Sequence, residues 1–165
     1  MDWKVAFARQ AGSDLDARDA LLDASEELPE CHQLHCLQMA CEKLCKAYLI
    51  GHGSDPDALQ SSHAYVAKTL PNIARHILSR QASQIPHDTW VIAAIRNLAR
   101  RIELLAPAVR DGGRAETNCE YPWEKPDGEI VAPADFNFGL DLLHQKAGVT
   151  LLKVMRIAIA ELLTR

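Results

Sequence analysis

Apolar positions along the chain recur mostly at three- and four-residue steps, the period of a helix that buries one face. Between Val5 and Ser25, the residues Phe7, Ala8, Leu15, Ala17, Leu21 and Leu22 are set among acidic ones, which predicts a first helix that Gly12 and Ser13 stand to interrupt. Leu28-Pro29-Glu30 ends it, because proline has no amide to donate and disfavours helical geometry in the residue before it. From about Glu30 to Ile50, a second stripe runs through Leu34, Leu37, Cys41, Leu44, Cys45 and Tyr48, closed by Gly51-His52-Gly53. Ser54-Asp55-Pro56 opens the next segment. His63 to Ser79 reads as a third helix with Tyr65, Val66, Leu70, Ile73, Ile77 and Leu78 on its apolar side and a kink or break expected before Pro71. Asp88 is placed to cap a fourth, in which Trp90, Ile92, Ile95, Leu98, Ile102 and Leu105 align before Ala106-Pro107.

The stretch from Arg110 to Pro133 contains Gly112, Gly113, Pro122, Pro126, Gly128 and Pro133, so a long irregular connection is expected over about residues 108–134, with a brief extended piece at Glu129-Ile130-Val131. Tyr121 and Trp123 favour packing of that connection onto the body. The final segment, about Asp135 to Thr164, is apolar nearly all round and predicts one long central helix. With neither an internal repeat nor an alternating strand pattern, these elements imply an all-α fold, an antiparallel up-and-down bundle of four to five helices in one domain over residues 1–165.

Composition agrees with a folded globular chain: of 165 residues, 48% are hydrophobic, 24% charged and 5% aromatic, which is enough apolar material for one core. No apolar run nears the ~20 residues that span a bilayer, and the opening MDWKVAFARQ lacks the pattern of a secretion signal, so a cytoplasmic protein without membrane contact is expected. Four of the five cysteines, Cys31, Cys36, Cys41 and Cys45, fall in one predicted helix, which suits reduced thiols better than a disulfide framework. The net charge of −4 sits poorly with indiscriminate nucleic-acid coating, yet it is uneven: Asp14 to Glu30 is acidic and Arg75 to Arg114 basic.

The segment from Gln33 to Ile50 contains Gln38, Glu42, Lys43, Lys46 and Ala47 in the order Q-x-x-x-E-K-x-x-K-A, and so resembles the second helix of HEPN domains. Asp14 to Arg18, the Leu28-Pro29 turn and His63 stand at similar offsets in that family, and Glu120-Tyr121-Pro122-Trp123 resembles the Y-P dipeptide of its minimal, substrate-binding-type members, which accompany nucleotidyltransferases. The resemblance covers roughly residues 5–165 as topology and implies a bundle of four or five helices that forms homodimers. Many HEPN domains are ribonucleases that pair two copies of an Arg, four to six residues, then His motif. Here the sequence departs from that pattern: the formal match, Arg80 to His87, spans a loop containing Pro86, and Arg96-Asn97 is followed by no histidine at the required distance. Metal-independent cleavage needs an imidazole to move the proton and a cation for the phosphate, which Arg80 and His87 supply only if the loop holds them together.

Other chemistry is thinner. Cys31, His32, His35, Cys36, Cys41 and Cys45 are zinc-ligand types, but at ~1.5 Å rise per residue Cys31 and Cys45 stand about 21 Å apart, and Cys41 and Cys45 lie on the apolar stripe, so core packing is expected and no metal. Arg96, Arg100, Arg101, Arg110 and Arg114 form a candidate anion patch, partly offset by Glu103. Tyr121 and Trp123 either stack on a planar ligand or anchor the loop. Phosphate-binding glycine loops and Ser-His-Asp signatures are missing, and no cofactor is implied. These observations lead to a non-catalytic, HEPN-like interaction module binding a partner protein or a nucleotide-like anion as a homodimer. Two alternatives stay open: a toxin-like ribonuclease using Arg80 and His87 or a degenerate arginine site, and a small-molecule pocket closed by the 110–133 connection.

Overall fold

A computed structural model describes residues 1–24, 28–60, 65–80, 89–106 and 117–164. Among them the chain forms six α-helices, α1 (Trp3–Leu22), α2 (Glu30–Gly51), α3 (Pro56–Gln60), α4 (Val66–Arg80), α5 (Thr89–Glu103) and α6 (Lys146–Thr164), with a two-stranded ribbon of β1 (Trp123–Glu124) and β2 (Ile130–Val131) before the last. The fold is the expected all-α bundle, and among the described residues no helix is long and apolar enough to cross a membrane.

The Asp2 side chain accepts from the Val5 amide at 2.8 Å and starts α1, which then runs unbroken through Gly12 and Ser13. Gly12 faces α6, where an added Cβ would lie 3.6 Å from Ile159 Cγ2. α2 lies antiparallel to α1: Asp14 meets Lys43, Phe7 meets Lys46 and Lys4 meets Gly51. α4 is continuous through the buried Pro71, with no break before it. Its exposed first-turn donor problem is solved from outside, because Glu103 at the end of α5 accepts from the Ala67 amide at 2.9 Å, which also sets α4 and α5 antiparallel. Leu34, Leu37, Leu44, Leu70, Ile73, Ile95, Leu98, Ile102, Leu151 and Met155 are among the fully buried side chains that make one core.

The final segment differs from the single long helix expected. Residues 136–140 form no regular element, Asp141–His144 is a short 3-10 turn, and α6 begins only at Lys146. The cause is tertiary. Glu30 accepts from the Phe138 amide at 3.2 Å, Arg101 donates to the carbonyls of Phe138 and Gly139, and Gly139 takes φ +61, so backbone groups a helix would have paired are satisfied elsewhere. Phe136 and Phe138 meanwhile pack edge-on beside Trp123, with Trp123–Phe136 and Phe136–Phe138 centroids each 5.0 Å apart. α6 touches α1, α2, α4 and α5 and is central as expected; Ala147, Leu151, Val154, Met155, Ala158 and Ile159 are buried, Leu152, Ile157 and Leu162 pack against the core while partly buried, and Lys153 and Arg156 are exposed.

The expected extended piece is real and has a partner: Trp123 pairs with Val131 and Glu124 with Ile130. Pro126 presets the turn, the Gly128 amide donates to the Lys125 carbonyl at 2.9 Å, and Gly128 adopts φ +87. Trp123 is the anchor of this ribbon at 5% exposure, whereas Tyr121, expected to pack with it, is 54% exposed.

Candidate functional site

α2 carries the family-like residues, and most of them are spent inside the bundle. Gln38, Glu42 and Lys46 are successive rungs on one face. Gln38 Nε2 donates to Glu42 Oε2 at 3.2 Å, and Lys46 Nζ reaches Glu42 Oε1 at 2.7 Å with both side chains about 5% exposed. The Lys46 ammonium also lies 5.9 Å from the Phe7 ring centroid. Lys43 leaves this row and pairs with Asp14 of α1 at 2.8 Å. Arg18 is buried nearby on α1, bonded to Asp19 at 3.0 Å, and among the described residues nothing partners its Nε or Gln38 Oε1.

The cysteines fall where packing put them. Cys31, Cys41 and Cys45 are buried, and Cys41 Sγ donates to Met155 Sδ at 3.7 Å. Burial pushes the Cys119 thiol up to about 12 and raises Cys31, Cys36, Cys41 and Cys45 as well, so these groups are poor thiolate nucleophiles near neutral pH. Among the described residues no group of three or more His, Cys, Asp or Glu could hold a metal ion.

One turn beyond the buried ladder, α2 opens into a cleft of about 250 Å³ at the end of the bundle. Four helices build it: Lys4 from α1, Tyr48, Gly51 and the adjoining His52 from α2, Ile73, His76 and Ile77 from α4, and Ala158, Glu161 and Leu162 from α6. A Cβ added at Gly51 would sit in ordinary contact with the Lys4 side chain, at 3.5 Å, so the lysine stem lies along the last turn of α2. His52 Nδ1 donates to the Tyr48 carbonyl at 2.8 Å, an assignment forced by the carbonyl being only an acceptor, and this leaves Nε2 available. The Tyr48 and His52 rings are 4.2 Å apart at 32°. At the rim, Arg80 Nη1 bonds Glu161 Oε2 at 2.8 Å and lies 3.5 Å from His76 Nε2.

The electrostatics of the cleft are set by side chains working against the backbone. α2, α4 and α6 all bring their later turns here, and helix C-termini are partially negative. Lys4 and, at the rim, Arg80 complement that charge, and Glu161 is the carboxylate among these residues. A shallower depression between α1 and α6, bordered by Arg9, Asp16, Arg156 and Leu163, differs in that Asp16 and Asp19 both hold Arg156 and keep its guanidinium above its usual value.

Of the residues singled out from sequence, Arg80 stands at the cleft, while His87, Arg110 and Arg114 lie outside the described residues. Arg96 and Arg100 are exposed on one side of α5; Arg101 is half-buried and committed to the Phe138 and Gly139 carbonyls. Trp123 belongs to the ribbon and Tyr121 precedes it, and neither lines the cleft. Sequence reasoning did not single out Lys4, His52, His76 or Glu161. The four-residue spacing of His76 and Arg80 was a readable signal, but their meeting with Glu161, 81 residues from Arg80, was not. Comparison of the chain with family models, with curated proteins and with solved structures found no match.

Proposed function

We propose that this chain is a non-catalytic, HEPN-like binding module that takes a nucleotide-like anion in the terminal cleft. The observation that carries the reading is the convergence of Lys4, His52 and His76, from three helices, around an apolar floor of Ile73, Ile77, Ala158 and Leu162, with Arg80 bonded at the rim to Glu161. Guanidinium and ammonium groups suit phosphate, the tilted Tyr48–His52 pair suits a planar group, and the cleft volume is that of a small ligand or of one end of a larger one. The five free thiols suit a reducing, cytoplasmic setting. Dimerisation comes with the HEPN resemblance, and Trp90, Leu104 and Val149 leave apolar surface for it; sedimentation showing only monomer at micromolar concentration would remove that part of the reading.

The test is calorimetric titration of the protein with AMP. Saturable binding that weakens at least roughly tenfold in Arg80→Ala, the scale of a charge-assisted bond, supports the module. Heat no different from dilution, together with an unchanged melting temperature, sinks it. Ribonuclease activity is the second reading, favoured by one observation, the 3.5 Å approach of Arg80 to an imidazole, that of His76. It predicts metal-free RNA cleavage abolished in His76→Ala; activity lost in His87→Ala alone would instead assign it to the Arg80 and His87 pair.

A further inference from the structure

We propose that Glu161 is an internal competitor for a phosphomonoester: its carboxylate holds the Arg80 guanidinium until a ligand phosphate takes it over. The inference rests on the anion-binding reading of the cleft and specifies its ligand chemistry and its control. Arg80 closes α4 and Glu161 lies in the last turn of α6, so their 2.8 Å bond ties two helix ends across the rim of the cleft. The pair is open to water, at 43% and 26% side-chain exposure, and an exposed pair of this kind is weak. A phosphomonoester brings a second negative charge and three acceptor oxygens to the same guanidinium, and fork-shaped donors bind such groups bidentately.

The surroundings favour the exchange. Lys4 faces the cleft from α1 and Tyr48 from α2, so a dianion meets an ammonium and a hydroxyl as further donors that a carboxylate anchored on α6 does not need. The Tyr48 O–H adds hydrogen-bonding capacity without negative charge, and because the His52 Nδ1 proton is committed to the Tyr48 carbonyl, His52 Nε2 is left as an acceptor for a ligand N–H or O–H rather than as a partner of the phosphate. A phosphodiester, with one charge, gains less over the carboxylate it must displace. The phosphomonoester is either that of a mononucleotide or the 5′-phosphate of an RNA end, and both present the same group.

The experiment is a calorimetric cycle on the wild-type chain, Glu161→Gln, Arg80→Ala and the double variant, using inorganic phosphate, AMP, adenosine and a 5′-phosphorylated oligoribonucleotide. Glu161→Gln is expected to tighten phosphate and AMP by roughly fivefold, the scale of one exposed ion pair. The gain must vanish in the Arg80→Ala background, because the competition acts through that guanidinium, and adenosine must gain nothing. An oligoribonucleotide that binds more tightly than AMP assigns the site to RNA ends, and equal or weaker binding assigns it to mononucleotides; either supports the proposal. Wild-type binding of AMP that Glu161→Gln leaves unchanged or weakens overturns the competitor role alone, as does a gain that persists without Arg80. Failure of phosphate and AMP to bind both the wild-type chain and Glu161→Gln overturns the anion-binding reading with it.

Discussion

Between Gln38 and Lys46 the polar side chains of α2 are sealed under α1 and the core, whereas one turn on, from Tyr48 to His52, the same helix presents polar groups to an open cleft. In the first region Gln38 and Lys46 are each bonded to Glu42, four residues away on the same helix, so their position is fixed by local geometry, and Lys43 is held by Asp14 of α1. In the second, the charged groups come from α1, α4 and α6, and their pairings reach across the chain. Buried charge without exchangeable partners specifies packing. Charge at a solvent-accessible junction of four helices can trade partners, and that distinction separates a structural polar cluster from a binding site.

Glu42→Ala is the hardest test of this difference and carries the largest expected effect. It strands the Lys46 ammonium in the bundle, and loss of one member of a buried pair costs about 3–5 kcal/mol in a denaturant melt. Replacing both partners, as Glu42→Leu with Lys46→Met, should return most of that stability. A loss under about 1 kcal/mol for the single variant would mean the ladder behaves as a surface pair and the comparison collapses. Second comes alkaline pH. Cys119 is held up at about 12 by burial against an ordinary value of 9.0, so its thiol stays protonated in the folded chain where the unfolded one ionises. Its stabilising contribution is whole below pH ~9 and declines as pH climbs towards 12. In iodoacetamide labelling followed by mass spectrometry, Cys36, which is only partly buried, should react first, with Cys31, Cys41, Cys45 and Cys119 labelled only on unfolding.

The bundle was legible from periodicity because Leu34, Leu37, Leu44, Leu70, Ile95 and Leu98 point inward at helical spacing, and the Pro29 and Gly51 boundaries of α2 are punctuated in the sequence. The region before α6 was not. Its helix-like apolar content is overridden by Glu30 and Arg101, which lie 108 and 38 residues from the backbone groups they hold. Polar residues were harder still. Glu42 and Lys46 entered the sequence reading only through the family-like pattern and form a buried pair, while Arg101 read as an anion ligand and is a backbone clamp. Side-chain type announces what a residue can bond; only the packing of α1, α4 and α6 decides what it meets.

The smallest expected effect on stability is therefore the one most telling about the cleft. Arg80→Ala breaks a pair that is 43% and 26% exposed, and such pairs contribute about 0–1 kcal/mol, so its melt should nearly overlay that of the wild-type chain. The guanidinium stem covers little of the core, since Arg80 is the last residue of α4 and Ile77 and Leu78 beneath it are already buried by neighbouring helices. If Arg80 were a structural clamp like Arg101, its removal would unsettle the ends of both α4 and α6, and stability would fall with ligand affinity. A variant as stable as its parent but unable to bind AMP separates the two arginines and places the exchangeable charge at the cleft; parallel losses of stability and affinity would put Arg80 with the buried ladder as part of the scaffold.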